Sequence, residues 1–149
     1  MSKGNSTPVV GTVILLAALT SLSGCLSSCN APKDIELAKE GVARFHSQFD
    51  SEQYHTIYTE ADEAFRKATN EPELTALLQA CHRKLGGIQN PELQNTQTKW
   101  LAGQGTFVML SYQTRFSNAT GTESFTWRIV EGRAILVGYN INSNALILK

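Results

Sequence analysis

Excess charge of either sign is missing from this chain: 13 Lys and Arg stand against 13 Asp and Glu in 149 residues. Neutralising phosphates takes clustered cations, and the local groupings are only Arg66-Lys67 and Arg83-Lys84. These read as solvated last turns of helices, where cations suit the dipole. A nucleic-acid partner is therefore not expected. Cysteine is scarce, three in all, and no Cys-x-x-Cys accompanies the widely separated His46, His55 and His82. No metal site and no cofactor is expected. A Gly-x-Ser-x-Gly elbow, a phosphate loop and a Cys–His nucleophile arrangement are also missing, so no catalytic residue is assigned. There is no internal repeat and no low-complexity tract. The longest apolar run, Val9 to Leu22, is shorter than the about 20 residues that cross a bilayer comfortably.

That run is nonetheless the chain's most informative segment. Lys3 supplies a positive start and Val9 to Leu19 an apolar core, the pattern of a secretory signal. It closes on Leu22-Ser23-Gly24-Cys25, small residues before a cysteine, which resembles the lipobox of bacterial lipoproteins. The resemblance implies a lipid on Cys25, cleavage before it and acylation of the new amino terminus. One acyl chain binds a membrane only marginally, whereas several on one residue anchor it durably. Leu26, rather than Asp, follows the cysteine; the resemblance then favours the outer membrane in a cell that has one. An uncleaved signal anchor, or an ordinary signal beside an incidental cysteine, are the alternatives.

The expected organisation is a signal peptide over 1–24, a polar lipidated tether over 25–33 and one domain over 34–149, long enough to carry its own core. Losing the signal removes Lys3 and no acid. Cys29 and Cys81 remain as a candidate disulfide, which an oxidising compartment permits. Cys81 also lies on a helical apolar face, where a cysteine serves as a small core residue.

Apolar positions Ile35, Ala38, Val42, Phe45 and Phe49 recur at three and four, predicting a helix over Asp34 to Phe49. Asp50 and Gln53 suggest a capping box for a second helix burying Tyr54, Ile57 and Tyr58, continuing helically around Phe65 from Ala61 to Ala68. Asn70 before Glu71-Pro72 starts a further helix. Its face is Leu74, Leu77, Leu78, Cys81 and Leu85, and Gly86-Gly87 stops it.

After Pro91 the period shortens to two. Val108, Leu110, Tyr112 and Phe116 share one side of a strand, with Phe107, Met109, Ser111, Gln113 and Arg115 on the other. Phe125, Trp127 and Ile129 alternate with Ser124, Thr126 and Arg128. Beyond a Glu131-Gly132 turn, Ile135, Val137, Tyr139 and Ile141 share a face. With a strand around Gln94 to Ala102, these make a four-stranded antiparallel meander. Such a sheet needs an apolar partner, and the helical layer supplies it: the expected fold class is α+β, amino-terminal helices packed on a curved sheet.

The run Gly105 to Phe116, then Glu123, then Val137-Gly138-Tyr139-Asn140-Ile141, with Arg83-Lys84-Leu85-Gly86 closing the last helix, resembles small bacterial envelope domains of unknown function. These belong to the nuclear-transport-factor-2-like, or cystatin-like, superfamily. The resemblance implies a cone-shaped pocket between sheet and helices, used in some relatives for proton transfer beside a carbonyl. That chemistry needs a tuned carboxylate and a stabilising Tyr or protonated acid. Here the strands hold no Asp, and Glu123 and Glu131 are expected near strand ends. The Gln-x-Val-x-Gly loop of cystatin inhibitors is missing as well.

Tyr54, Tyr58, Tyr112, Trp127 and Tyr139 are candidate pocket residues together with Trp100, and His46 and Arg128 are candidate polar members. The same aromatics at these periods also suit plain core. Arg128 alternates away from the apolar face and is expected in solvent, as are His55 and His82. Phe107, Met109 and Leu136 add apolar area to the sheet's second face. A homodimer, or an envelope partner protein, is expected there, unless Ala145-Leu146-Ile147-Leu148 covers the patch or extends the last strand. Asn118-Ala119-Thr120 is read as a turn rather than a glycosylation site. Two functions stay open: a non-catalytic envelope interaction module, with a filled interior, or a pocketed domain for a small apolar ligand with isomerase-like chemistry.

Overall fold

Twenty residues, Ala31–Asp50, wind into α1, the first element of a computed structural model that describes residues 31–147. Cys25 and Cys29 lie outside the described residues, as do the segment expected to be a signal peptide and most of the expected tether. Ala38, Val42, Phe45, His46 and Phe49 form the buried stripe of α1, as the three-and-four spacing requires. Asp50 belongs to α1 and caps nothing downstream, contrary to the expected box: its Oδ1 accepts the Ile88 N–H at 2.9 Å. The helix ends in a Schellman motif, with Gln53 N–H on Gln48 O at 2.8 Å and Glu52 N–H on Phe49 O at 3.0 Å. Glu52 holds the left-handed position, φ 55°.

α2 (Tyr54–Glu60) follows without a side-chain cap. The chain breaks at Ala61-Asp62 rather than continuing, and Asp62 caps α3 (Glu63–Ala68) by accepting the Ala64 N–H. α4 (Glu71–Leu85) starts as expected at Asn70, whose side chain accepts the Glu73 N–H while Glu73 reaches back. Leu74, Leu78, Cys81 and Leu85 are buried along α4. Leu77, assigned to the same face, is 47% exposed. Gly86 stops the helix at φ 82°, where a Cβ would lie 2.8 Å from the Ser117 Cβ.

Four strands follow, β1 (Ile88–Leu101), β2 (Gly105–Phe116), β3 (Thr120–Val130) and β4 (Arg133–Asn142). They pair antiparallel in the order β1-β2-β3-β4, an α+β architecture of helices followed by a meander sheet. β1 starts earlier than expected, taking in Pro91, which an edge strand tolerates. The helices and one face of the sheet share a core that includes Val42, Phe45, Phe49, Leu78, Leu110, Phe125 and Trp127. Gly41 lets α1 approach closely, since a Cβ there would lie 3.1 Å from the Trp127 ring.

The period of two fails in β4. Trp127 pairs with Leu136 but Thr126 with Gly138, so Val137 is an extra residue, and a bulge turns the strand's faces over. Ala134 and Leu136 are buried before it, while Tyr139 and Ile141 pack on the core after it. Leu136 is thus a core residue and not part of the outer face. The described part of the Ala145–Leu148 run, residues 145–147, neither covers that face nor extends β4: α5 (Asn144–Ile147) sets Ala145 and Leu146 against the core, and Lys84 Nζ donates to Leu146 O; Leu148 lies outside the described residues. No described helix is long and apolar enough to cross a membrane.

Candidate functional site

One charged side chain lies at the centre of the core. Glu123, the fourth residue of β3, is 1% exposed and so is not the strand-end residue expected. It sits on the inward side with Gly121, Phe125 and Trp127, which the alternation of β3 dictates. Its oxygens are acceptors only, and three donors meet them. Tyr139 OH donates to Oε1 at 2.9 Å. Thr114 Oγ1 donates to Oε2 at 2.5 Å. His46 Nε2 lies 2.9 Å from the same Oε2, so that nitrogen carries the proton. α1 supplies His46, β2 Thr114, β3 Glu123 and β4 Tyr139. The bulge after Leu136 turns Tyr139 inward to reach its neighbour's row.

Aromatic rings close over this network. Phe45 stands 4.6 Å from Tyr139 and 5.2 Å from Phe125, centroid to centroid, and Trp127 stacks on Phe125 at 6.0 Å. Burial, then the Glu123 charge and the hydrogen bond to it, raises the Tyr139 phenol well above its ordinary range. Burial followed by the Glu123 charge pushes up the Cys81 thiol. The Tyr112 phenol is raised by burial first, then by Glu36 and Glu123. An acceptor-only carboxylate in a low-dielectric interior is costly to bury unless it is hydrogen-bonded, and here both oxygens are engaged, Oε1 by one donor and Oε2 by two.

Of the candidate pocket residues, Tyr112, Trp127 and Tyr139 converge here, with His46 as the polar member. Tyr54 does not: it packs against Phe49 at 6.4 Å, and its phenol is raised by burial, then by Glu52. Tyr58 donates to Arg66 O at the domain's edge. Trp100 is 61% exposed at the end of β1 and lines no interior. Arg128 is not free in solvent, because its guanidinium pairs with the buried Asp62 carboxylate, and the Asp62 N–H donates to Leu136 O at 2.8 Å. His55 is surface-exposed as expected and pairs with Glu71. Cys81 is a buried core residue on α4; its candidate partner Cys29 lies outside the described residues.

Sequence reasoning missed Glu123, Thr114 and Asp62 as buried polar groups. Counting back by twos from Phe125, and on by two from Tyr112, would have found the first two; Asp62 carried no periodic signal.

The cleft between α1, α2 and the Trp127 and Leu136 side chains has a free volume of about 20 Å³, enough for one water molecule. The sheet's other face is shallow and mainly neutral: Asn95, Gln97, Ser111, Ser124 and Thr126 surround Met109 there. Among the described residues no group of three or more His, Cys, Asp or Glu side chains is placed to hold a metal.

These features define a class: an α+β domain of helices laid on a four-stranded meander, knotted inside by a carboxylate of β3 whose partners come from one helix and two other strands. Residues 42–139 match the model of a family described as a protein of unknown function, DUF4019, and the chain belongs to that family. The matched span contains all four members of the network. A search of the curated proteins finds no match.

Proposed function

We propose that the protein is a lipid-anchored bacterial envelope lipoprotein whose cystatin-like, or nuclear-transport-factor-2-like, domain is a non-catalytic interaction module. The observation that carries this reading is the saturation of Glu123: Tyr139, Thr114 and His46 occupy its oxygens at 2.5–2.9 Å. A general base needs an oxygen open to substrate. Among the described residues the cleft beside Trp127 has room for about one water, which favours recognition on the outside. The neutral amide and hydroxyl face around Met109 suits a hydrogen-bonding envelope partner, or a second copy, better than a greasy one.

The address is tested by feeding a bacterial host expressing the full chain a labelled fatty acid. Label on the wild type and none on Cys25→Ala is the expected result, and equal labelling of both overturns the lipid anchor. Binding is tested by capturing envelope extract on the lipidated protein, with Ser124→Arg, which puts charge on the neutral face, reducing capture several-fold.

A second reading, isomerase-like chemistry on a small apolar ligand, is favoured by one observation: a buried carboxylate within hydrogen-bonding reach of a phenol, the parts proton transfer beside a carbonyl requires. It demands that the helical layer part from the sheet. Saturable uptake of an apolar fluorescent dye, abolished by filling the cleft from its rim with Gln48→Trp, would support it.

A further inference from the structure

We propose that the end of the domain from which α1 starts is a membrane seat, with Trp100 at the bilayer interface. The proposal rests on the lipid anchor at Cys25 and adds to it the orientation of the folded body.

Contacts along α1 step down β3 towards this end. His46 meets Glu123, Phe45 meets Phe125, and Gly41 meets Trp127. From Gly41 ten further residues lead back to Ala31, about 15 Å of helix. From Trp127 three residues remain to Val130, about 10 Å of strand. The start of α1 therefore lies at the same end as the Leu101–Gly105 and Val130–Arg133 turns. Six residue steps separate Cys25 from Ala31, a covalent reach of about 20 Å at most. An acylated Cys25 holds this end of the domain, and not the Ile88 end, against the lipid.

What the end carries fits that occupant. Trp100 is 61% exposed and Val130 39%, each on a strand tip with β2 between them. They are separate prominences among small and polar turn residues, Ala102, Gly103, Gln104, Glu131 and Gly132, rather than one continuous apolar face, which suits insertion among headgroups better than docking on a protein. Lys33, Lys99 and Arg133 are exposed around them against one exposed acid of the same turns, Glu131. An indole places its apolar ring and N–H at headgroup level, and long basic side chains reach out to phosphates beside it.

The test uses the full lipidated protein in phosphatidylcholine–phosphatidylglycerol vesicles, with and without bromine on the acyl chains near the headgroup. The chain has two tryptophans, and Trp127 is shielded in the core. Wild type is expected to float with the vesicles and lose up to about half of its emission to bromine, the share of one indole in two. Trp100→Phe should float equally, keep its Trp127 emission as proof of folding, and lose none to bromine. Flotation of the wild type without quenching overturns the seat and leaves the anchor standing. Failure of both wild type and Cys25→Ala to float removes anchor and seat together. Quenching that persists in Trp100→Phe overturns the proposal, as does shielding of Trp100 from aqueous acrylamide without quenching by bromine, which would assign it to a protein contact.

Discussion

Glu123 shows how much a single residue's meaning depends on its partners. Removing its carboxylate leaves Thr114, His46 and Tyr139 with donors aimed at nothing in a closed core. Glu123→Ala is expected to cost about 3–5 kcal/mol, the range for breaking a buried pair from one side. Glu123→Gln keeps volume and one acceptor and should cost less. Replacing His46 as well removes one of the three stranded donors, so His46→Leu with Glu123→Leu should be more stable than Glu123→Leu alone. Urea unfolding midpoints measure all four, and a double variant no better than Glu123→Leu would refute a closed, mutually satisfied network. The inward positions of Glu123 and Thr114 were legible from the alternation of their strands; that they meet each other, His46 and Tyr139 was not.

At the scale of elements, the ends of helices decide where the sheet can begin. Glu52 occupies the left-handed position of the α1 Schellman motif, φ 55°, where glycine is the usual residue. Glu52→Gly is expected to raise stability by about 0.5–1 kcal/mol by relieving that conformation, read as a higher thermal midpoint. Gly86 is the opposite case. Its φ of 82° and the 2.8 Å approach to Ser117 leave no place for a Cβ, and around it Ser117 N–H bonds Gly87 O and Asn118 N–H bonds Leu85 O. Gly86→Ala should therefore cost about 2–4 kcal/mol, the left-handed penalty plus the clash, and loosen both the α4–β1 junction and the β2–β3 turn. Hydrogen exchange at Ser117 and Asn118 would rise with it. Periodicity located the helices well, but the Asp50–Gln53 pairing misled, because a capping box and a helix end share their residue types.

For the molecule as a whole, the buried phenols set the alkaline limit. Tyr139 is raised well above its ordinary value by burial, by the Glu123 charge and by its hydrogen bond. Tyr54 and Tyr112 are raised as well. An unfolded tyrosine ionises near pH 10. Below that both states keep the proton, so this contribution is fully present; above it the unfolded chain alone releases protons, and stability falls as pH rises towards the folded values. Urea midpoints measured against pH should decline from about pH 10 upwards. Tyr139→Phe should lower the neutral plateau by about 1–2 kcal/mol while making the alkaline decline shallower. A decline as steep as in the wild type would place the alkaline sensitivity elsewhere.

What the amino-acid sequence determined by itself was local. Periods of 3.6 and 2 marked the helices and strands, and Asn70 and Gly86 bounded α4, because such signals act between residues a few positions apart. Tertiary structure alone decided that one extra residue in β4 turns Tyr139 inward, that Arg128 meets Asp62, and that His46 meets Glu123 across 77 positions of chain. Those meetings depend on how a helix crosses a sheet, a geometry set by packing the whole core at once rather than by any segment within it.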